Sequence, residues 1–291
     1  MSVYDGYEPG RHDVRDAWRG FRRTPGFTLV AVLTLALGIG ASTAIFSVFN
    51  ATRIDRGLFK APDRTVVLWG VGGEKGDRRG ASLPEVADWA AQARTLERVS
   101  YYDATSVTLS GDGEAAQIQA EFVEPSFFDM LVSAPMLGRA LTADDNRAGA
   151  APAVVISDDV WRSRFDAAPS VLGQTLTLDN RLATIVGVMP RGFKGASFDT
   201  DIWLTYAAYD PSLLTTRNSR WILAVAEIRP NATVESASAD LSAAGTRLAE
   251  QYPETNRGRS VDVLTLREFY LDSTATLLWV LLASVGFLLL I

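Results

Sequence analysis

Two long stretches of the chain carry no charged side chain, and one lies close to each end. Residues 27–49 read FTLVAVLTLALGIGASTAIFSVF, and residues 273–291 are equally free of charge. At a helical rise of about 1.5 Å per residue, the first stretch is long enough to cross a hydrocarbon core of about 30 Å. The pattern therefore predicts transmembrane helices at 27–49 and 273–291.

Two other interpretations of residues 27–49 fit the sequence less well. A cleaved signal peptide has an apolar core of about 7–15 residues, whereas this core is longer and follows a polar head of 26 residues. A buried helix of a soluble domain is the second alternative. The uncharged stretch at the other end of the chain argues against it, so we expect two uncleaved spans.

The head, residues 1–26, predicts the orientation of the chain in the membrane. It contains five arginines, at positions 11, 15, 19, 22 and 23. Lys and Arg are enriched on the cytoplasmic side of membrane spans. We therefore expect a cytoplasmic head, residues 50–272 on the outer side of the inner membrane, and a return through residues 273–291.

The head also has the pattern of a helix that lies in the lipid headgroup layer. Apolar residues recur at helical spacing from Val14 to Phe21, and basic residues occupy the opposite face. A solvated helix docked on other protein is the alternative. Thr24-Pro25-Gly26 is expected to break the helix before the span begins. The candidate membrane-interface residues are Arg15, Trp18, Arg19, Phe21, Arg22 and Arg23.

Small residues recur at a spacing of four inside the first span, at Ala36, Gly40 and Ala44. Small side chains at this spacing allow another helix to approach closely within a membrane. We therefore take these three positions as a candidate helix-packing site.

The charge of the chain excludes one class of function. Of 34 acidic and 28 basic residues, the head holds four acids and five bases, which leaves 30 acids and 23 bases for residues 50–272. Binding to nucleic-acid phosphates requires a surplus of Lys and Arg. We therefore expect no nucleic-acid partner. The chain has no cysteine, so this region must be stabilised by its own core.

Between the spans, the pattern alternates strands with helices. The predicted strands are 65–69, 99–109, 116–123, 154–157, 175–178, 183–189, 201–204, 221–228 and 261–266. The predicted helices are 83–96, which starts at a Ser82–Glu85 capping box, and 125–131, 158–165 and 234–251. Residues 70–80 are expected to form a Gly-rich loop. Early and late strands are expected to share one α+β layer, with residues 124–205 as an inserted, strand-richer subdomain.

Several segments resemble one family of membrane proteins. They are residues 13–50, FVEPSFFDML at 122–131, LGRALTADD at 137–145, VVISDDVWRSRF at 154–165 and GQTLTLDNRLATIVGVMP at 173–190. Together they are similar to the MacB/FtsX-like permeases, the membrane subunits of one class of ABC transporters, and most of all to the orphan or duplicated permeases. AEQYPETNRG at 249–258 and LREFYLDS at 266–273 extend the resemblance towards the second span.

The resemblance implies a fold and a set of partners. Residues 50–272 would be a periplasmic core domain, with a porter-like part and the inserted part. Such permeases have four spans, or eight when duplicated, act as dimers in the lipid bilayer and are driven by a cytoplasmic ATPase on a separate or fused chain. Because the sequence ends at Ile291, we expect either part of a longer gene product or a truncated form.

Little in the sequence predicts catalysis. The single histidine, His12, lies in the head, so no histidine is present between the spans. Residues 70–76 lack the lysine and Ser/Thr order of a P-loop. The acids at 144–145 and 158–159 follow Thr142 and Ser157, which favours helix capping. Asp199 and Asp201 are a weaker candidate for a cation site. The tryptophans at 69, 89, 161, 203 and 221 are expected in the core.

The sequence therefore predicts a non-enzymatic component without a cofactor or metal. The main hypothesis is a permease subunit, for export or mechanotransmission, that couples a cytoplasmic ATPase to an external domain. The alternative is a two-span sensor or scaffold whose external domain binds a ligand or protein partner. An anchored hydrolase is a third, weaker option.

Overall fold

The computed structural model describes residues 57–72, 77–111, 115–197 and 199–269, together with the single positions Gly26 and Gly40. Residues 57–269 form one unit, and residues 1–56 and 270–291 are assigned to another. Apart from Gly26 and Gly40, the predicted spans and the predicted interface residues of the head lie outside the described residues. Within the described part of the chain, no helix combines the length and apolar character that a membrane crossing needs.

Gly26 and Gly40 are both helical and exposed. Thr24 and Pro25 lie outside the described residues, so the expected break at residues 24–26 stays a prediction. Ala36 and Ala44 of the candidate packing site lie outside the described residues.

The described residues contain eleven strands that join in one mixed sheet. The strands are β1 Thr65–Gly72, β2 Asp77–Arg79, β3 Leu96–Ser110, β4 Ala116–Val123, β5 Leu137–Gly138, β6 Ala153–Ile156, β7 Thr175–Leu178, β8 Arg181–Val188, β9 Ile202–Leu204, β10 Leu223–Ile228 and β11 Ser260–Thr265. Their order is β11-β1-β10-β3-β4-β9-β6-β8-β5, with β2 paired to β1 and β7 paired to β3 and β8. The pairs β4–β9 and β6–β8 are parallel.

Six α-helices lie wholly within the described ranges. They are α1 Leu83–Gln92, α2 Ser126–Met130, α3 Asp158–Phe165, α4 Tyr206–Tyr209, α5 Val234–Gln251 and α6 Pro253–Asn256. Single 3-10 turns lie at Pro62–Arg64, Ala143–Asn146, Pro169–Val171 and Pro211–Leu214.

Strands from the two ends of the described domain lie side by side. On β1, Val66 is paired with Ala226 of β10 on one side and with Thr265 of β11 on the other. α5 packs on β11, and α1 packs on β3 and on α5. The predicted α+β layer of early and late elements is therefore present. Residues 124–205 supply β5 to β9 towards the other end of the strand order, and the boundaries of an inserted subdomain stay a prediction.

Alternation along the strands divides the buried side chains between the two faces of the sheet. On β1, Val66 and Leu68 belong to a core that also contains α1 and α5 residues, whereas Val67 belongs to the core on the other face. The second core is rich in aromatic rings, with Phe127 and Trp203 fully buried. Both faces of the central strands are thus covered.

Several predicted boundaries are wrong for identifiable physical reasons. α1 ends at Gln92 rather than 96, because the Asp240 carboxylate accepts hydrogen bonds from the amides of Arg94 (2.6 Å) and Thr95 (3.0 Å) and the chain then enters β3. Residues 70–80 are not simply a loop, because Gly70–Gly72 pair with Asp77–Arg79 as a hairpin.

The tryptophans only partly follow the prediction of a core position. Trp89 and Trp203 are buried, and Trp69 and Trp161 are half-buried. Trp221 is 37 % exposed, so its predicted core position is wrong. Its Nε1 donates a hydrogen bond to the Tyr206 hydroxyl at 3.0 Å, which satisfies the indole donor near the surface.

A buried carboxylate, that of Glu85, fixes the start of α1. It closes the predicted capping box by accepting a hydrogen bond from the Ser82 amide at 3.0 Å. Arg220 contacts both of its oxygens, with Nε at 2.9 Å from Oε2 and Nη2 at 3.0 Å from Oε1. The Asn256 amide donates to Oε1 at 2.9 Å, and Arg259 Nε lies 3.4 Å from Oε1. One charge thus joins α1 to the segment before β10 and to the segment before β11.

A second buried carboxylate, that of Glu121 on β4, holds the loop before β9. It accepts hydrogen bonds from the amide (2.6 Å) and hydroxyl (2.7 Å) of Ser197 and from Trp203 Nε1 (2.7 Å). Gly195 has φ +72°, and a Cβ there would stand 2.4 Å from Glu121 Oε2, so both its backbone and the close approach require glycine. Desolvation raises the pKa of Glu121, and the hydrogen bonds only partly oppose this rise.

Glu85→Gln is expected to lower the free energy of unfolding by about 3 kcal/mol, because it leaves Arg220 and Arg259, whose side chains are only 11 % and 14 % exposed, without their shared carboxylate. Urea unfolding of the purified chain, followed by tryptophan fluorescence, measures the change. Asp144→Asn is the control, since Asp144 is 81 % exposed in its pair with Arg147 and should leave stability unchanged. Equal effects of the two substitutions would contradict the role assigned to Glu85.

The raised pKa of Glu121 predicts a pH dependence of stability. The folded state keeps this proton to a higher pH than the unfolded state, so the stabilisation is complete below about pH 4.5, the ordinary value, and is lost as pH rises through the folded pKa. The unfolding midpoint should therefore fall more steeply over this range in the unaltered chain than in Glu121→Gln. Parallel pH profiles of the two proteins would rule out this assignment.

Candidate ligand groove

A solvent-open groove of about 680 Å³ lies between α1, the strand β3 and residues from the segment 124–146. We call it the α1 groove. It is lined by Leu83, Val86, Ala87, Ala90, Ala91, Arg98, Val99, Tyr101, Glu124, Ser126, Asn146 and Leu214. Its volume falls within the range of about 300–1,000 Å³ that is usual for ligand sites.

One wall of the α1 groove is the outer face of α1. Ala87, Ala90 and Ala91 are exposed there, at the i, i+3 and i+4 positions of one helical face. The nearby polar residues are engaged within the domain. Asp88 forms an ion pair with Arg217 at 2.7 Å, and Gln92 accepts a hydrogen bond from Arg247 at 3.0 Å. The wall is therefore apolar where a solvated helix normally presents polar side chains.

The floor of the α1 groove carries its polar groups. The Glu124 amide donates to the Tyr101 carbonyl at 3.1 Å, which places these two residues together. Glu124 Oε2 accepts hydrogen bonds from the amide (2.8 Å) and the hydroxyl of Ser126. The Oδ1 atom of Asn146 is buried and has no hydrogen-bond partner. Burial raises the pKa of Tyr101, so its hydroxyl stays protonated at neutral pH.

The charges along the α1 groove do not cancel. Arg98 lies 2.8 Å from Glu227, which also pairs with Arg64 at 2.5 Å, and Arg64 in turn pairs with Glu97 at 3.0 Å. Two cations and two carboxylates therefore balance in this network. Glu124 forms no ion pair with any of the described residues. Its carboxylate is thus a net negative charge at the floor of the groove.

The paired acids that the sequence singled out serve structural roles, as predicted for two of the pairs. Thr142 and Asp145 form a capping box, and Arg139 contacts both Asp145 oxygens at 2.6 and 2.9 Å. Burial opposes ionisation of Asp145, but hydrogen bonds from Arg139 and Thr142 outweigh it and lower its pKa. The Ser157 hydroxyl accepts from the Val160 amide at 3.2 Å and caps α3.

The third pair does not assemble into a metal site. Asp201 Oδ2 accepts a hydrogen bond from the Gln119 amide at 3.0 Å, so this oxygen is used by the backbone of β4. Across the described ranges, no group of three or more His, Cys, Asp or Glu side chains lies close enough together to bind a metal ion.

The patterns in the sequence did not predict the α1 groove or its polar floor. The alanines at 87, 90 and 91 offered one signal, because they fall on a single face of a predicted helix. Glu124 and Asn146 gave none, since each is an ordinary polar residue next to a predicted turn or helix. The arrangement offers an apolar wall, a carboxylate and an unpartnered amide oxygen, which suits it to binding.

Solved structures of other proteins share the fold of the described domain. A domain of a protein described as a permease, from Porphyromonas gingivalis, superposes with a TM-score of 0.54 at 19 % identity, covering 71 % of this chain and 91 % of that domain. The periplasmic region of MacB from Actinobacillus actinomycetemcomitans superposes with a TM-score of 0.52 at 14 % identity, covering 73 % of this chain and 92 % of that region. The chain thus shares their mixed α+β fold, which confirms the predicted α+β class of the domain, while the two flanking transmembrane helices stay a prediction.

The match to a family model is independent of the superpositions. A comparison with curated proteins finds no match. The model of the MacB-like periplasmic core domain, by contrast, matches residues 28–244, which is more than half of the chain. The resemblance drawn from the sequence segments is therefore confirmed, and the chain belongs to the family that carries a MacB-like periplasmic core domain.

Proposed function

We propose that the chain is the membrane subunit of an ABC-type transporter and that it couples a cytoplasmic ATPase to mechanical work by its external domain. The observation that carries this proposal is the family match over residues 28–244, which begins inside the first predicted span and runs into α5. In this proposal the chain has no catalytic activity of its own and uses no cofactor.

The pairing of the first and last strands supports mechanical coupling. β1 and β11 are antiparallel neighbours over Val66–Val71 and Ser260–Thr265. The chain therefore enters and leaves the domain through adjacent strands. Trp69 of β1 also contacts Phe269, which follows β11, at a distance of 6.2 Å between ring centroids. A force that reaches either end of residues 57–269 would thus act on the same pair of strands.

The ion cluster at Glu85 offers a route from these strands to α1. Arg259 directly precedes β11, and its guanidinium group lies against Gly70 and Gly72 of β1, where a Cβ would stand 2.9 and 2.8 Å from its nitrogens. The same arginine contacts Glu85 at the start of α1. A shift of β11 would therefore displace the start of α1 through the buried carboxylate of Glu85, because a closely packed interior leaves this group little room to move.

The proposal includes the partners and location that the resemblance implies. A cytoplasmic ABC ATPase would bind the chain, and a second permease copy would pack against it, with Ala36, Gly40 and Ala44 as candidate contacts. The chain would lie in the bacterial inner membrane with a cytoplasmic head and residues 50–272 outside. Arginines before the first span support this orientation.

Reporter fusions test the orientation. An alkaline phosphatase fused after Asp145 should be active, because the enzyme folds only outside the cytoplasm, whereas a fusion after Trp18 should be inactive. The readout is phosphatase activity normalised to the amount of fusion protein. The reverse pattern would invert the topology, and equal activity at both sites would refute the two-span arrangement.

Co-purification tests the transporter assignment. An affinity-tagged chain, expressed at its native level and solubilised from membranes, should retrieve an ABC ATPase in comparable molar amount, measured by quantitative mass spectrometry. Glu124→Gln, which alters only the external α1 groove, should retrieve the same amount and serves as the control. A membrane-bound chain that retrieves no ATPase would contradict the proposal and favour the two-span sensor or scaffold.

A further inference from the structure

We propose that the α1 groove binds a small molecule with an apolar body and a protonated amine. The inference rests on the groove itself and holds whether or not the chain belongs to a transporter. Three observations support the inference. The groove is large and has an apolar wall, the charge of Glu124 is uncompensated, and the Oδ1 atom of Asn146 has no hydrogen-bond partner.

The apolar body of the ligand would lie against the wall formed by α1. The groove has a volume of about 680 Å³, and its wall is formed by alanines together with Leu83, Val86 and Leu214. Covering such a wall removes apolar surface from water, which contributes about 25 cal/mol per Å². A ligand with an apolar body of several rings or a branched chain therefore gains most of its affinity at this wall.

The charge of the α1 groove favours a positively charged ligand. Arg98 reaches the groove, but Glu227 neutralises it at 2.8 Å. Glu124 has no counter-cation among the described residues, and its Oε1 accepts no hydrogen bond from them. A cation placed here would gain a charge-assisted hydrogen bond in a partly desolvated site. An anion would be repelled by the same carboxylate, so the groove is complementary to a cation.

The hydrogen-bond acceptors at the floor of the groove favour an ammonium group. An ammonium group carries three donors and no acceptor. The floor offers two acceptors, Glu124 Oε1 and Asn146 Oδ1, and both residues adjoin Tyr101. The Asn146 oxygen is buried without a partner, and an unpaired buried acceptor costs free energy that a donor from a ligand would recover. A primary amine carries donors for both acceptors.

A matched set of probes tests the proposal on the full chain in lipid nanodiscs, with empty nanodiscs as the blank. The probes are 4-phenylbutylamine, 4-phenylbutanol and 4-phenylbutyrate, which share one apolar body and differ in head group. Isothermal titration should show saturable binding of the amine, weaker binding of the alcohol and none of the carboxylate. Glu124→Gln should weaken amine binding about tenfold and leave alcohol binding unchanged.

Two further variants make the result decisive. Ala90→Leu keeps a strong helix former at an exposed position and should abolish binding of amine and alcohol alike by filling the groove. Asp144→Asn removes an exposed carboxylate outside the groove and should change nothing. Equal binding of amine and carboxylate, or equal effects of Glu124→Gln and Asp144→Asn, would overturn the proposal. So would a chain that binds none of the probes, which would favour a protein helix as the occupant of the groove.

Discussion

The backbone pairing of β1 with both β10 and β11 is the constraint on which the rest of the domain depends. Val66 is flanked by Ala226 and Thr265, so segments far apart in sequence meet on one strand. The central position of β1 explains why its side chains are apolar on both faces, with Val66, Val67 and Leu68 all buried. Without this pairing neither core would close, because each takes side chains from β1.

Electrostatic contacts set the position of the helices on this sheet. Glu85 is shared by Arg220, Arg259 and Asn256, and Asp240 ends α1 by accepting the amides that follow it. α1 is therefore held at both ends by carboxylates, while Ala87, Ala90 and Ala91 on its outer face stay exposed. A helix fixed in this way is suited to form the rigid wall of a binding site, because both of its ends are tied to the rest of the domain.

Local signals predicted the elements whose boundaries depend on nearby residues. β4, β7, α3 and α5 begin and end where the sequence placed them, and the Ser82–Glu85 capping box is present. Elements that depend on distant partners were missed or misjudged. Trp221 lies near the surface because Tyr206 provides its acceptor there. β2 was missed for another reason: its hairpin with Gly70–Gly72 is local, but the Gly-rich sequence of residues 70–80 carries no strand pattern. The α1 groove combines α1, β3 and residues 124–146, and no local pattern reveals such a combination.

The pairing of β1 with β10 and β11 also affects how the chain folds while it is being synthesised. β1 is made early, yet its partners at 223–228 and 260–265 come near the end of the domain. Until they emerge, the new strand exposes unpaired amides and apolar side chains, a state prone to wrong pairing with other chains. Long-range closure of this kind is slow because the loop entropy must be lost before the contacts form. β1 therefore lacks at least one of these two partner strands until β11 has been made.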